Sequence, residues 1–190
     1  MTEEAAGSDA SPPKRPRHPR KAARRNVLLP RVEKGADGTF HLRELPPLMA
    51  LSLREMPALL EPDAPGIRDR IAATPYPGDE EGTAHWERNA APELAHLFQA
   101  ARDIVETDLI ALRPEAKTRG RFRLGIPAAH LNAWLSSLSA ARVGLAERHG
   151  FGEADLESVL PEDITDDRER ALILVHLLGW VQGLLLEAGA

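Results

Sequence analysis

A dense group of basic side chains lies in residues 1–25, MTEEAAGSDASPPKRPRHPRKAARR. A cationic segment of this kind can neutralise phosphate groups without reading base sequence, and it also attracts acidic protein surfaces. Because no Phe, Tyr or Trp is interleaved, stacking on single-stranded bases is not expected. The alternative is a solubilising tail, or a tail that contacts the acidic remainder of the chain. The candidate contact residues for nucleic acid or an acidic partner are Lys14, Arg15, Arg17, Arg20, Lys21, Arg24 and Arg25.

The formal net charge of −5 conceals an uneven distribution along the chain. Residues 10–32 hold eight Lys or Arg and no Asp or Glu, whereas residues 33–190 hold 16 Lys or Arg and 26 Asp or Glu. A basic arm on an acidic body is therefore predicted. A second basic group either extends the same patch or protects an edge strand from aggregation. It consists of Lys117, Arg119, Arg121 and Arg123.

Two charged residues occupy apolar faces of predicted helices. On a helical wheel Arg142 lies within about 60° of four leucines of the helix over residues 127–149. Asp108 lies in the middle of the apolar stripe that runs from Leu94 to Leu112. Since buried charges are normally paired, we expect Asp108 and Arg142 to face each other across the core, or one of them to have another partner. The alternatives are a small anionic ligand or partner carboxylate at Arg142, or two solvated charges at helix edges.

The familiar motifs of catalysis are missing from the sequence. It contains no phosphate loop, dinucleotide fingerprint or nucleophile elbow. With no cysteine, thiolate nucleophiles, cysteine metal sites and disulfides are excluded. Glu93 and His96 form a single E-x-x-H without a second copy, and His176 is predicted to be a hydrogen-bonded core histidine. We therefore predict no catalytic residues, no metal and no cofactor, and a protein that is not an enzyme.

The order of apolar segments and turns predicts a mainly α fold. A β-hairpin around the turn KGADG is followed by helices that begin near Pro46, Asp79, Leu94, Pro127 and Asp166, with a short one at Glu153. Residues 121–126 form a possible third short strand. We thus expect one helical domain of about five to six helices over residues 26–190, preceded by a disordered basic arm over residues 1–25.

The last predicted helix contains the longest apolar run, the 16 residues from Ala171 to Leu186. It is shorter than the roughly 20 residues of a membrane span, so a buried helix is favoured and no membrane contact is expected. Its Gly179 and Gly183 predict close packing against the small-residue face of the Arg142 helix, which lies opposite Arg142 and consists of Ala133, Ser136, Ser137, Ala140 and Gly144. The N-terminus lacks an apolar signal region, which favours a cytoplasmic location.

The segment WLSSLSAARVGLAERHG, residues 134–150, resembles the pattern W-L-x-x-L-N-x-x-R-L-x-L-G-x-R-x-G of an uncharacterised bacterial family of unknown function. Ser139 replaces asparagine and Ala146 replaces glycine. LGWVQGLL at residues 178–185 resembles the family's closing L-G-W-L-Q-x-x-L, PYPGDEE its acidic loop, and Asp37–Gly38 its hairpin turn. The resemblance spans about residues 28–187 and omits the basic arm.

This resemblance implies a mostly helical domain with a small β element and no established catalytic activity. In many actinobacteria the family is encoded beside the adaptor protein ClpS, and some members are linked to oxidative-stress gene regulation through cysteine chemistry. That switch cannot operate in a chain without cysteine. We expect a regulatory or protein-interaction protein with an unknown protein partner, whose arm contacts nucleic acid or an acidic partner. The alternatives are a small-anion-binding protein or enzyme that uses the Arg142 region, and an adaptor in protein quality control.

Overall fold

The computed structural model describes residues 29–61, 73, 75–158 and 164–190. The predicted basic arm over residues 1–25 lies outside the described residues. In the described part of the chain, six helices and a small antiparallel sheet confirm the predicted mainly α fold with an N-terminal hairpin and a further strand. The helices are α1 (Pro47–Leu59), α2 (Glu80–Asn89), α3 (Ala91–Leu109), α4 (Leu131–His149), α5 (Glu153–Leu156) and α6 (Asp167–Gly189).

Local sequence signals explain where the long helices begin and end. The Asp166 carboxylate accepts a hydrogen bond of 2.7 Å from the Glu169 amide and so caps the start of α6. Pro92 stands in the first turn of α3, where proline has no helical hydrogen bond to lose. Gly150 adopts a left-handed backbone with φ of 62° and ends α4.

The sheet contains four strands in the order β1-β2-β4-β3, all antiparallel. The side chains of β2 and β4 alternate between the core and the opposite face, as expected for a sheet with one solvated side. Phe40, Leu42, Leu124 and Ile126 point inward and are buried. The strands are β1 (Arg31–Lys34), β2 (Phe40–Leu45), β3 (Arg113–Pro114) and β4 (Phe122–Ile126).

The core lies between the inner face of the sheet and a layer in which α4 packs against α6, with α1 and α3 alongside. Its fully buried side chains include Leu42, Leu45, Met49, Leu53, Trp134, Leu138, Leu178, Val181 and Leu185. By length and composition α6 is a candidate membrane span among the described residues. Core helices pass the same test, and six of the eight buried residues of α6 belong to this core. His176, predicted as a hydrogen-bonded core histidine, is half-buried there, and its Nε2 has no hydrogen-bond partner among the described residues.

The buried face of α4 differs from the one predicted. Its centre lies about 90° around the helix from Arg142 at 100° per residue, so Arg142 and Leu135 stand half-buried at the edge. The prediction that the leucine face centred on Arg142 is the buried face of the helix is therefore wrong. The small residues on α4 allow its neighbours to approach closely, and the Trp134 ring fills the space between them. The buried residues of α4 are Trp134, Ser137, Leu138, Ala141, Gly144 and Leu145.

Candidate functional site

Four arginines form a single row across the outward face of the sheet. Arg31 on β1 lies directly opposite Arg43 on β2, and Arg113 on β3 lies directly opposite Arg123 on β4. Leu42 and Leu124 are paired and face inward. Arg43 comes directly after Leu42 and Arg123 directly before Leu124, so both arginines point outward at neighbouring positions. Like charges opposite each other destabilise a sheet, which makes this arginine row an unexpected arrangement on a purely structural basis.

Two carboxylates neutralise the β1–β2 half of the arginine row. The Glu33 carboxylate accepts a hydrogen bond of 2.8 Å from Arg31 Nε and lies 3.5 Å from Arg43 Nε. The hydrogen bond from Arg31 lowers the pKa of Glu33, so this carboxylate stays charged at neutral pH. Glu115 Oε1 accepts a further bond of 2.8 Å from Arg43 Nη1. Arg31 and Arg43 therefore have partners within the protein.

The β3–β4 half of the arginine row is different. Arg113 and Arg123 are both exposed, and neither side chain forms a hydrogen bond or an ion pair with the residues that the structure describes. A groove of about 340 Å³ runs beside them along the sheet face. It is lined by His41, Leu42, Arg43, Ala111, Arg113, Arg123, Leu124 and Gly125.

A buried glutamate holds the β3–β4 connection against the end of β2. Glu44 is 7% exposed, and its Oε1 accepts a hydrogen bond of 2.9 Å from the Thr118 hydroxyl. Its backbone adopts a φ of 57°, at the point where the β2–β4 register shifts. Non-glycine residues in this left-handed region indicate a locally strained backbone that surrounding contacts maintain. The strained bulge thus fixes the loop that leads into Arg123.

Only part of the second basic group predicted from sequence reaches the arginine row. Arg123 does so, whereas Arg121 donates a hydrogen bond of 3.4 Å to the Glu44 carbonyl oxygen. Lys117 and Arg119 are exposed on the connecting loop. Sequence reasoning did not select Arg31, Arg43 or Arg113. Strand alternation around Arg31 and Arg43 was the available signal, but the position of β3 opposite β4 could not be read from two residues.

The carboxylate of Asp108 is buried, as predicted, but its partners are His130 and Trp134. Trp134 Nε1 donates a hydrogen bond of 2.8 Å to Oδ2, and His130 Nδ1 lies 3.0 Å from both carboxylate oxygens. His130 is at the start of α4, with its side chain 33% exposed. The aspartate therefore ties the end of α3 to the start of α4.

The predicted pair of Asp108 and Arg142 does not form. Arg142 Nη1 instead donates a hydrogen bond of 2.8 Å to Gln182 Oε1, and Gln182 Nε2 donates one of 2.8 Å to the Ser139 hydroxyl. The guanidinium lies over Gly179, where an added Cβ would be 3.1 Å from Arg142 Nε. The rotation of the α4 core face explains the error, because it directs Arg142 toward the edge of α6 and away from α3.

The prediction that Gly179 and Gly183 pack closely against the small-residue face of α4 is wrong. Gly179 contacts Arg142, whereas a Cβ on Gly183 would meet nothing within 4 Å. The arm cations from Lys14 to Arg25 lie outside the described residues. Within the described ranges, no cluster of three His, Cys, Asp or Glu side chains is placed to hold a metal ion.

The fold defines the class of protein: a mainly helical domain with a small four-stranded sheet, whose outward face carries the arginine row. The sequence matches the model of the Domain of unknown function (DUF2017) family over residues 7–189, and the chain belongs to this family. The match extends further toward the N-terminus than the resemblance over residues 28–187 suggested, and it includes the cations of the arm. Comparisons with curated proteins and with solved structures find no match.

Proposed function

We propose that this protein is a non-enzymatic regulatory or interaction protein that attaches to nucleic acid electrostatically. The observation that carries the proposal is the arginine row, which spans all four strands of the sheet. Four arginines face the carboxylates of Glu33 and Glu115 there, with the buried Glu44 nearby, on a body whose residues 33–190 contain more acids than bases. A local excess of positive charge on an acidic protein favours a polyanion at that face.

The basic arm supports the same function because of its position in the chain. Arg25 precedes Arg31, the first residue of β1 and of the arginine row, by six positions. A phosphate backbone that follows the arm therefore comes close to the row. The arm and the row together supply the electrostatic attachment, while the helical body offers surface for a protein partner. An acidic protein in place of nucleic acid is the competing form of this proposal.

The alternative of a small-anion-binding protein or enzyme uses Arg142, which lies in the contact between α4 and α6. Its Nη1 donates to Gln182 and its guanidinium lies against Gly179, while its buried Nε has no hydrogen-bond partner among the described residues. This alternative therefore stays a competing form of the function. The proposal also includes a cytoplasmic location. In this proposal, the protein partner determines whether the protein acts in protein quality control or in stress-dependent gene regulation. Any trigger of that regulation must be one that needs no cysteine.

Salt dependence tests this function directly. Binding of a fluorescent DNA duplex is measured by anisotropy from about 50 to about 200 mM salt, where contact with six or more phosphates weakens affinity roughly 10³-fold. Deletion of residues 1–25 is expected to weaken binding strongly, and circular dichroism melting checks that the body stays folded. Absence of DNA and RNA binding at low salt, combined with binding of an acidic polypeptide, would favour the competing form.

A further inference from the structure

We propose that Arg113 and Arg123 form a phosphate clamp, a site that binds the phosphodiester backbone of nucleic acid in the groove beside β3 and β4. This inference rests on the proposed function and assigns the contact to one half of the arginine row. The other half is already bound to protein carboxylates, since Glu33 and Glu115 hold Arg31 and Arg43.

The sheet itself gives no reason for two unpaired arginines at these positions. Arg113 and Arg123 are direct cross-strand partners, whose Cα atoms are typically about 5 Å apart, and like charges at such positions repel. Charged residues do protect edge strands from pairing with other molecules. Here the edge strand β3 already carries Pro114, which has no N–H to offer a further strand. A bound anion between the guanidinium groups would remove the repulsion.

The groove has the shape and donors that a phosphate requires. Each guanidinium presents five N–H donors in a planar fork that fits phosphate oxygens in pairs. At the next outward position, Gly125 is opposite His41, and the His41 ring lies over this glycine, with Nδ1 3.6 Å from the place that a Gly125 Cβ would take. The imidazole therefore lines that end of the groove. The floor lies at Leu42 and Leu124, whose side chains point inward to the core, so these two residues present their backbone to the groove.

Continuity with the arm favours nucleic acid over an anionic membrane as the source of the phosphate. The arm precedes β1, and β1 and β3 are the two edges of the same sheet. A linear polyanion can follow the row from one edge to the other, across strands spaced about 4.8 Å apart. Along this path it would meet Arg31 and Arg43 first and then reach the clamp, where the unpaired guanidinium groups bind it most strongly.

The test compares full-length proteins that lose the same charge at different places. The clamp variant carries Arg113→Gln and Arg123→Gln, and the matched control carries Arg54→Gln and Arg88→Gln, which change exposed arginines on α1 and α2. For a DNA duplex, loss of two phosphate contacts should reduce the slope of log affinity against log salt by about 2. We expect this reduction, with affinity lowered roughly 10- to 100-fold near 100 mM salt, in the clamp variant only.

A third variant with Arg113→Lys and Arg123→Lys separates charge from fork geometry. It should keep the slope of the unmodified protein but bind more weakly, because lysine retains the charge and loses the paired donors. Thermal unfolding of all three variants establishes that each is folded before binding is interpreted.

The possible outcomes distinguish this inference from the proposed function. Equal binding by the clamp variant and the control, with strong binding by the unmodified protein, would overturn the clamp. The arm alone would then account for the binding of nucleic acid. Absence of DNA and RNA binding by the unmodified protein would overturn both. Clamp-dependent binding to vesicles of phosphatidylglycerol and phosphatidylcholine, without binding to DNA or RNA, would overturn nucleic acid as the ligand.

Discussion

The indole of Trp134 donates a hydrogen bond of 2.8 Å to the carboxylate of Asp108, and this contact joins α4 to the last turn of α3 inside the protein. Trp134 is fully buried and Asp108 is 9% exposed. With His130 on the other side, the carboxylate receives donors from two residues near the start of the same helix. The charge on the apolar face of α3 therefore serves to orient two helices.

Asp108→Asn should destabilise the protein by about 1–3 kcal/mol. The amide keeps the size of the carboxylate but replaces one acceptor with an N–H donor, which then faces a donor of Trp134 or His130. Glu106→Gln, on the exposed side of α3, makes the same chemical change and should shift stability by less than about 0.5 kcal/mol. Urea unfolding measures both. Equal midpoints for the two variants would contradict a structural role of Asp108.

Replacing the two α6 glycines by alanine should have opposite effects. Gly183→Ala should stabilise the protein by about 0.5–1 kcal/mol, because alanine favours the helix and the added Cβ meets nothing within 4 Å. In Gly179→Ala the Cβ would lie 3.1–3.4 Å from three atoms of the Arg142 guanidinium, which must move. We expect this displacement to cancel the gain in stability or to turn it into a loss of about 1 kcal/mol. Thermal melting distinguishes them, and a gain of equal size in both variants would show that Arg142 adjusts freely.

Arg142 and Asp108 should behave as independent sites. They share no partner, so the effects of Arg142→Met and Asp108→Asn on the free energy of unfolding should add within about 0.5 kcal/mol. Arg142→Met and Gln182→Leu should instead show a coupling of at least about 0.5 kcal/mol, because these side chains are hydrogen-bonded. Double-mutant cycles measure both quantities. Strong coupling between Arg142 and Asp108 would indicate that these two side chains interact directly, as predicted from sequence.

Stability should fall in acid through carboxylates at the α5–α6 end. The hydrogen bond from Arg168, followed by that from the Gly152 amide, lowers the pKa of Asp155 below its ordinary value. A lowered pKa in the folded state contributes stability above the unfolded pKa of about 4, and this contribution is lost as pH falls through the folded pKa. Asp155→Asn should therefore be less stable than the unmodified protein at neutral pH, and the difference should shrink below about pH 4.

Chemical denaturation at neutral pH and in acid measures this difference. The matched control is Glu157→Gln, an exposed acid two residues further along the chain, whose effect on stability should stay small in both conditions. A difference between Asp155→Asn and the unmodified protein that is constant from neutral to acid would show that the Arg168 pairing adds no stability.

The fold class could be predicted from sequence because the signals that define it are local. The 3.6-residue spacing of α3, the capping aspartate of α6 and the glycine that ends α4 each act within a few residues. The same holds for the turn of the hairpin. The candidate site was predictable only in part, because Arg113 and Arg123 are separated by ten positions and become neighbours only when β3 pairs with β4.

By itself the sequence determined the helices, the hairpin, the uneven charge and the burial of Asp108, since these depend on residue type and short-range spacing. Only the tertiary structure decided which partners the charges have. The orientation of α4 about its axis depends on how Trp134 and the small residues beside it fit against α6 and α3, which is a packing property of several elements at once. That orientation sends Arg142 to Gln182 and leaves Asp108 to Trp134 and His130.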